Sequence, residues 1–138
     1  MTDYTIEWLN LSKQNLTVLP DLSLYTKLKT LYCEKNKLTS LDNLPPNLQT
    51  LVCSFNQLTS LDNLPPNLQY LHCENNELTS IEHLPITLQR LICRNNPIDT
   101  TCKEVYGFTL SKKKIEQKTI EQYNEIKRLE KECCPLLK

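Results

Sequence analysis

Seven cysteines and two histidines are the residues here whose side chains could hold a metal or act as nucleophiles. The cysteines are Cys33, Cys53, Cys73, Cys93, Cys102, Cys133 and Cys134; the histidines are His72 and His83. Thiolates with imidazoles make tetrahedral zinc sites, and a thiol beside an activating histidine makes a nucleophile. Paired thiols make disulfides in oxidising compartments. The spacing argues against all three. The first four cysteines recur every 20 residues, which marks a repeat. Thiols on successive rungs of a stacked repeat stay spread along a ladder and do not converge on one metal. Adjacent rungs bring them to a bridging distance, but their parallel Cβ vectors are poorly directed for an S–S bond. His72 falls on a strand position away from Cys102, Cys133 and Cys134. No acid–base pair or nucleophile triad can be assembled, so the expectation is no enzyme, no metal and no cofactor.

Aligning on the cysteines gives LKTLYCEKNKLTSLDNLPPN (28–47), LQTLVCSFNQLTSLDNLPPN (48–67), LQYLHCENNELTSIEHLPIT (68–87) and a truncated LQRLICRNNPI (88–98). An earlier degenerate unit, 6–27, is two residues longer, with Leu11 at the cysteine position and Gln14 at the asparagine position. Apolar residues occupy unit positions 1, 4, 6, 11, 14 and 17, for example Leu48, Leu51, Cys53, Leu58, Leu61 and Leu64. That spacing is neither a helical period nor a sustained alternation. It predicts a short strand at positions 3–5, with 4 and 6 inward, then a turn and an extended return. Pro45-Pro46 and Pro65-Pro66 fix φ and favour a polyproline-like path there. One coil cannot bury its own leucines. Stacked coils share a continuous apolar column, with strands pairing in parallel about 4.8 Å apart. Asn36, Asn56, Asn76 and Asn96 are expected to form a ladder, since an amide can donate to and accept from turn backbone.

The motif LxxLxCxxNxL in these units resembles the leucine-rich repeat family. The short unit with its LP or LPP element is similar to the subclass in bacterial effectors and in giant-virus, mimivirus-like, leucine-rich repeat proteins. The repeated cysteine and the phrase LTSLDNLPPNLQ resemble the giant-virus set. The resemblance covers residues 6–98. It implies a curved solenoid with a parallel sheet on the concave side, an extended convex side and a role in binding. A viral origin would place the protein in a host cytoplasm or a virion.

With positions 4 and 6 inward, positions 3, 5, 7 and 8 face out on the concave sheet. Position 3 carries Trp8, Thr30, Thr50, Tyr70 and Arg90. Position 5 carries Asn10, Tyr32, Val52, His72 and Ile92. Position 7 carries Ser12, Glu34, Ser54, Glu74 and Arg94. Position 8 carries Lys13, Lys35, Phe55, Asn75 and Asn95. Core and return positions nearly repeat between units, whereas the combination of residues at these columns differs in every unit. Their aromatic, branched and Arg content suits a protein interface. The candidate partner-binding residues are Trp8, Tyr32, Val52, Phe55, Tyr70, His72, Arg90, Ile92 and Arg94, with Tyr32, Phe55 and Tyr70 as central anchors. The expected partner is a protein or peptide.

The chain has 138 residues, one domain's worth. Sixteen Lys and Arg balance 16 Asp and Glu, which argues against a nucleic-acid binder. One glycine, Gly107, leaves nothing for a phosphate-cradling loop. No apolar run is long enough to span a membrane, and MTDYTIEW does not read as a signal peptide. An odd cysteine count without an export signal favours a reducing, intracellular setting.

The expected division is a solenoid over 1–102 and a cap with a C-terminal helix over 103–138. The helix is predicted at about 112–134, from Ser111 as N-cap to Pro135. Positions 115, 119, 122, 126, 129, 133 and 136 follow a 4-3 spacing like a coiled-coil seam. That helix and the N-terminal rung, with Ile6, Leu9 and Leu11, are candidate homodimer surfaces. They carry the alternative function, a structural component that self-associates through its ends.

Overall fold

The computed structural model describes residues 4–98 except 82. Five three-residue strands follow one another: β1 (Trp8–Asn10), β2 (Thr30–Tyr32), β3 (Thr50–Val52), β4 (Tyr70–His72) and β5 (Arg90–Ile92). They form one parallel sheet in the order β1-β2-β3-β4-β5. Leu9, Leu31, Leu51, Leu71 and Leu91 stand in one row, the middle residue of each strand. The degenerate first unit joins this register despite its two extra residues, because the insertion falls on the return, away from the strand.

Backbone pairing runs past the strands. The amides of Cys33, Cys53 and Cys73 donate to the carbonyls of Val52, His72 and Ile92 at 2.8 Å. Position 8 repeats the pattern, with Lys35 N to Ser54 O at 3.0 Å and Phe55 N to Glu74 O at 3.0 Å. Each coil is thus held to the next over about half its circumference.

The core is the predicted column. Leu31, Leu51, Leu71 and Leu91 are wholly buried, as are Cys33, Cys53 and Cys73. Removing a leucine side chain from water contributes roughly 1.5–3 kcal/mol, and the same position recurs in every coil. Position 17 follows the pattern at Leu84, which is buried, but Leu44 and Leu64 are half-buried while the following Pro45 and Pro65 are buried.

The return is not the continuous extended path that the proline pairs predict. It bends at 42–43 and again at 46–47; the next coil repeats both bends, and the one after repeats the second at 86–87. Leu48, Leu68 and Leu88 donate to the carbonyls of Pro45, Pro65 and Pro85, closing a turn in each coil. The second proline of a pair presets φ for the first central position of such a turn. The first is pushed towards the extended region by the ring that follows it. Each pair therefore ends an extended step and begins a turn. The predicted cap over 103–138, its helix and its seam lie outside the described residues.

The asparagine ladder is present. Asn56 Nδ2 donates to Cys33 O and Cys53 O, both at 3.0 Å, and its Oδ1 accepts from Leu38 N at 3.0 Å. Asn76 makes the same three bonds one coil on, to Cys53 O, Cys73 O and Leu58 N. Asn36 bridges the longer first unit, donating to Leu11 O and Cys33 O and accepting from Gln14 N and Leu16 N. Each amide satisfies groups of two consecutive coils that are shielded from water.

Candidate functional site

The thiols are the strongest candidates for covalent chemistry. Cys33, Cys53, Cys73 and Cys93 are buried and unbridged. Burial pushes the Cys33 thiol up from 9.0 to about 12, and neighbouring Glu34 adds to the shift. Burial raises Cys53 and Cys73 well above that ordinary value too, with Cys73 adding at Cys53 and Cys93 adding at Cys73. A neutral, water-excluded thiol is neither nucleophile nor metal ligand. Among the described residues no three His, Cys, Asp or Glu side chains could hold a metal ion. The ladder packs the core as a set of small apolar groups.

The sheet face carries the remaining chemistry. Strand alternation puts positions 3 and 5 on its outer side. Trp8 is 65% exposed, Phe55 46% and Tyr32 37%. Arg90 and Arg94 are exposed; Val52, Tyr70, His72 and Ile92 are half-buried. The difference has a simple source. At position 5, Val52, His72 and Ile92 stand in direct register on β3, β4 and β5, about 4.8 Å apart, and shield one another. Of the nine candidate residues, Trp8, Tyr32, Val52, Tyr70, His72, Arg90 and Ile92 lie on the strands, while Phe55 and Arg94 follow the ends of β3 and β5.

Position 7 faces out only in part: Arg94 is exposed, but three others are not. Ser54 is buried, and Glu34 and Glu74 are half-buried. The chain is already turning away from the sheet there, so these side chains lie along the lip. Glu74 is the hub of a network that the sequence columns did not single out. Its Oε2 accepts from Arg94 Nε at 3.1 Å and lies 2.9 Å from Arg94 Nη2. Its Oε1 lies 3.3 Å from His72 Nε2. The signal was present, an acid and a base at one unit position in adjacent coils.

Position 8 has a backbone signature. Lys13, Lys35, Phe55, Asn75 and Asn95 all have φ of 55–58°. Asn tolerates this left-handed region, whereas a bulky ring does so at a cost. Phe55 is thus an aromatic group kept, exposed, on strained backbone. Lys35 Nζ lies 5.6 Å from its ring centroid. Arg90 takes the same pose over Tyr70, with its guanidinium carbon 5.4 Å from the ring centroid.

A groove at the opposite, strand-entry rim was not anticipated. Lys29, Gln49, Gln69, Asn47, Asn67 and Thr87 line it, with Glu7 at one end. Glu7 and Lys29, neighbours in one column, pair at 3.1 Å. Its signal was the polar column at unit positions 2 and 20.

Residues 46–85 match the family model for leucine-rich repeats, in two copies. That match falls on coils whose strands, thiol column and asparagine ladder are all in place. The fold is a leucine-rich repeat solenoid. Two solved structures extend the likeness beyond the matched residues. The chain is similar to YopM from Yersinia enterocolitica WA-314, with 41% identity over 66% of this chain, 20% of that one, and a TM-score of 0.61. It is similar to a Shigella effector leucine-rich repeat domain, with 35% identity over 67% of this chain, 42% of that one, and a TM-score of 0.62. The chain thus spans about a fifth of the first and less than half of the second. Among proteins of curated function nothing matches. The likeness joins this leucine-rich repeat solenoid to the repeat regions of bacterial effectors.

Proposed function

We propose that the chain is a non-enzymatic protein-interaction module that binds a protein or peptide on its sheet face, the concave side of a leucine-rich repeat solenoid. One observation carries the reading. Trp8, Tyr32 and Phe55 stand exposed on the face whose residues vary from coil to coil. Exposed aromatic groups on a rigid scaffold make good anchors, since little side-chain freedom remains to be lost on binding. The effector repeat domains to which the solenoid is similar support an interaction role. The repeated cysteine and the LTSLDNLPPNLQ phrase support the giant-virus subclass, and the ladder of buried reduced thiols suits a reducing, intracellular setting.

The test is affinity capture from cell lysate with the intact chain and with Tyr32→Ala/Phe55→Ala/Tyr70→Ala. The variant loses the captured protein while its melting temperature changes little. Capture that survives the triple substitution rejects the face.

A second reading, self-association through the first coil, has its own support. Ile6, Leu9, Leu11 and Leu16 are half-buried there, whereas Leu28, Leu31, Cys33 and Leu38 in the next coil are buried. Light scattering at high concentration tests it: a dimer lost on Leu9→Lys supports assembly, and a strict monomer removes it.

A further inference from the structure

We infer that the sheet face takes an acidic polypeptide segment, one with Asp or Glu on both sides of an apolar residue. This rests on the docking-face reading and adds the chemistry of the occupant. Charge is unevenly divided over the described residues. Of their seven Lys and Arg, four lie on the face columns: Lys13, Lys35, Arg90 and Arg94. Of their seven Asp and Glu, only Glu34 and Glu74 do. The face is therefore +4 −2, or +2, while the remaining surface has three cations against five acids, or −2.

The pairing sharpens this. Glu74 is already engaged by Arg94 at 2.9 Å and faced by His72 at 3.3 Å, so it offers an incoming carboxylate little repulsion. Lys35 and Arg90 lie over the Phe55 and Tyr70 rings instead. A ring orients a cation but leaves its charge uncancelled. Each pair thus presents an uncancelled positive charge beside an apolar platform. The third coil, with Val52 and Phe55, carries no charge on its face columns and separates the two ends. From the coil of Lys35 to that of Arg90 and Arg94 is three steps, about 14 Å, or about four residues of extended peptide. An acidic residue at each end and an apolar one between them matches that layout. A polyphosphate chain fits less well, because the uncharged third coil leaves the middle of its unbroken row of charge without cations.

The experiment is selection of a displayed random peptide library on the intact 138-residue chain. Selected peptides are then titrated against the intact chain, Lys35→Glu/Arg90→Glu, and the triple alanine variant. Melting temperatures confirm that both variants stay folded. The expected winners are net negative with a central apolar residue. They bind roughly tenfold or more weakly to the charge-reversed variant, and weaken as salt rises from about 0.05 M to about 0.5 M. Neutral or basic winners that still need Tyr32, Phe55 and Tyr70 overturn the acidic occupant and leave the docking face standing. Winners indifferent to the triple variant, or no enriched sequence, overturn both. A mixed-sequence single-stranded oligonucleotide that binds more tightly than the best peptide overturns the peptide in favour of nucleic acid.

Discussion

The side-chain amide of Asn56 donates to the carbonyl of Cys33, in the preceding coil, at 3.0 Å. It donates equally to Cys53 in its own coil, while its Oδ1 holds Leu38 N. One residue thereby satisfies three buried backbone groups of two coils. Asn56→Ala leaves Leu38 N without its acceptor, while Cys33 O keeps Asn36 and Cys53 O keeps Asn76, and costs about 1–3 kcal/mol. Asn96→Ala, whose equivalents are only part-buried, costs less. Urea unfolding of the two variants checks the order; equal losses contradict it.

The thiol column makes a second prediction. Cys53 is wholly buried against neighbouring leucines, so its sulfur acts as an apolar group. Cys53→Ser puts a hydroxyl there and costs more than Cys53→Ala, about 2 kcal/mol against about 1. Mass mapping of alkylated peptides gives an independent readout. Cys33, Cys53 and Cys73 stay unmodified in the native protein and react once urea unfolds it.

Alkali weakens the solenoid through the same thiols. Their folded values lie above the ordinary 9.0, with Cys33 at about 12. Above pH 9 the unfolded chain releases protons that the folded chain keeps. The unfolded state then binds fewer protons, so stability falls as pH rises. The contribution is full below pH 9 and is lost progressively between 9 and 12 for Cys33. Thermal unfolding across that range shows a falling melting temperature, and Cys33→Ala flattens the slope.

Phe55 gives a prediction of opposite sign. Its φ is 56°, where Asn75 and Asn95 have 55° in the equivalent coils. Phe55→Asn relieves the strain and stabilises the fold by about 0.5–1 kcal/mol, despite the lost contact with Lys35. The same substitution weakens partner binding. A stability gain together with a binding loss separates this residue from a merely structural one.

Leu51 tests the stack itself. Leu51→Ala at the centre of β3 costs about 2–5 kcal/mol, because both adjacent coils are pinned and cannot collapse into the cavity. Val52→Ala, one residue along on the half-buried face, costs less. Comparable unfolding midpoints for the two would refute the assigned register.

The sequence alone determined the solenoid, its 20-residue step and the inward column of leucines and thiols. These are readable because each apolar position recurs in several copies, and only one stacking buries them all. Strand alternation, which is local, also let it name the outward strand positions 3 and 5. The tertiary structure decided what periodicity cannot carry. Whether Pro46 continues an extended path or opens a turn depends on Leu48 reaching the Pro45 carbonyl, a contact set by packing. Whether position 7 points out or lies along the lip depends on where the chain bends after the thiol. The pairing of Glu74 with Arg94 and the seating of Lys35 over Phe55 join residues 20 apart. Such contacts exist only once neighbouring coils stand side by side, where spacing along the chain becomes distance across the sheet.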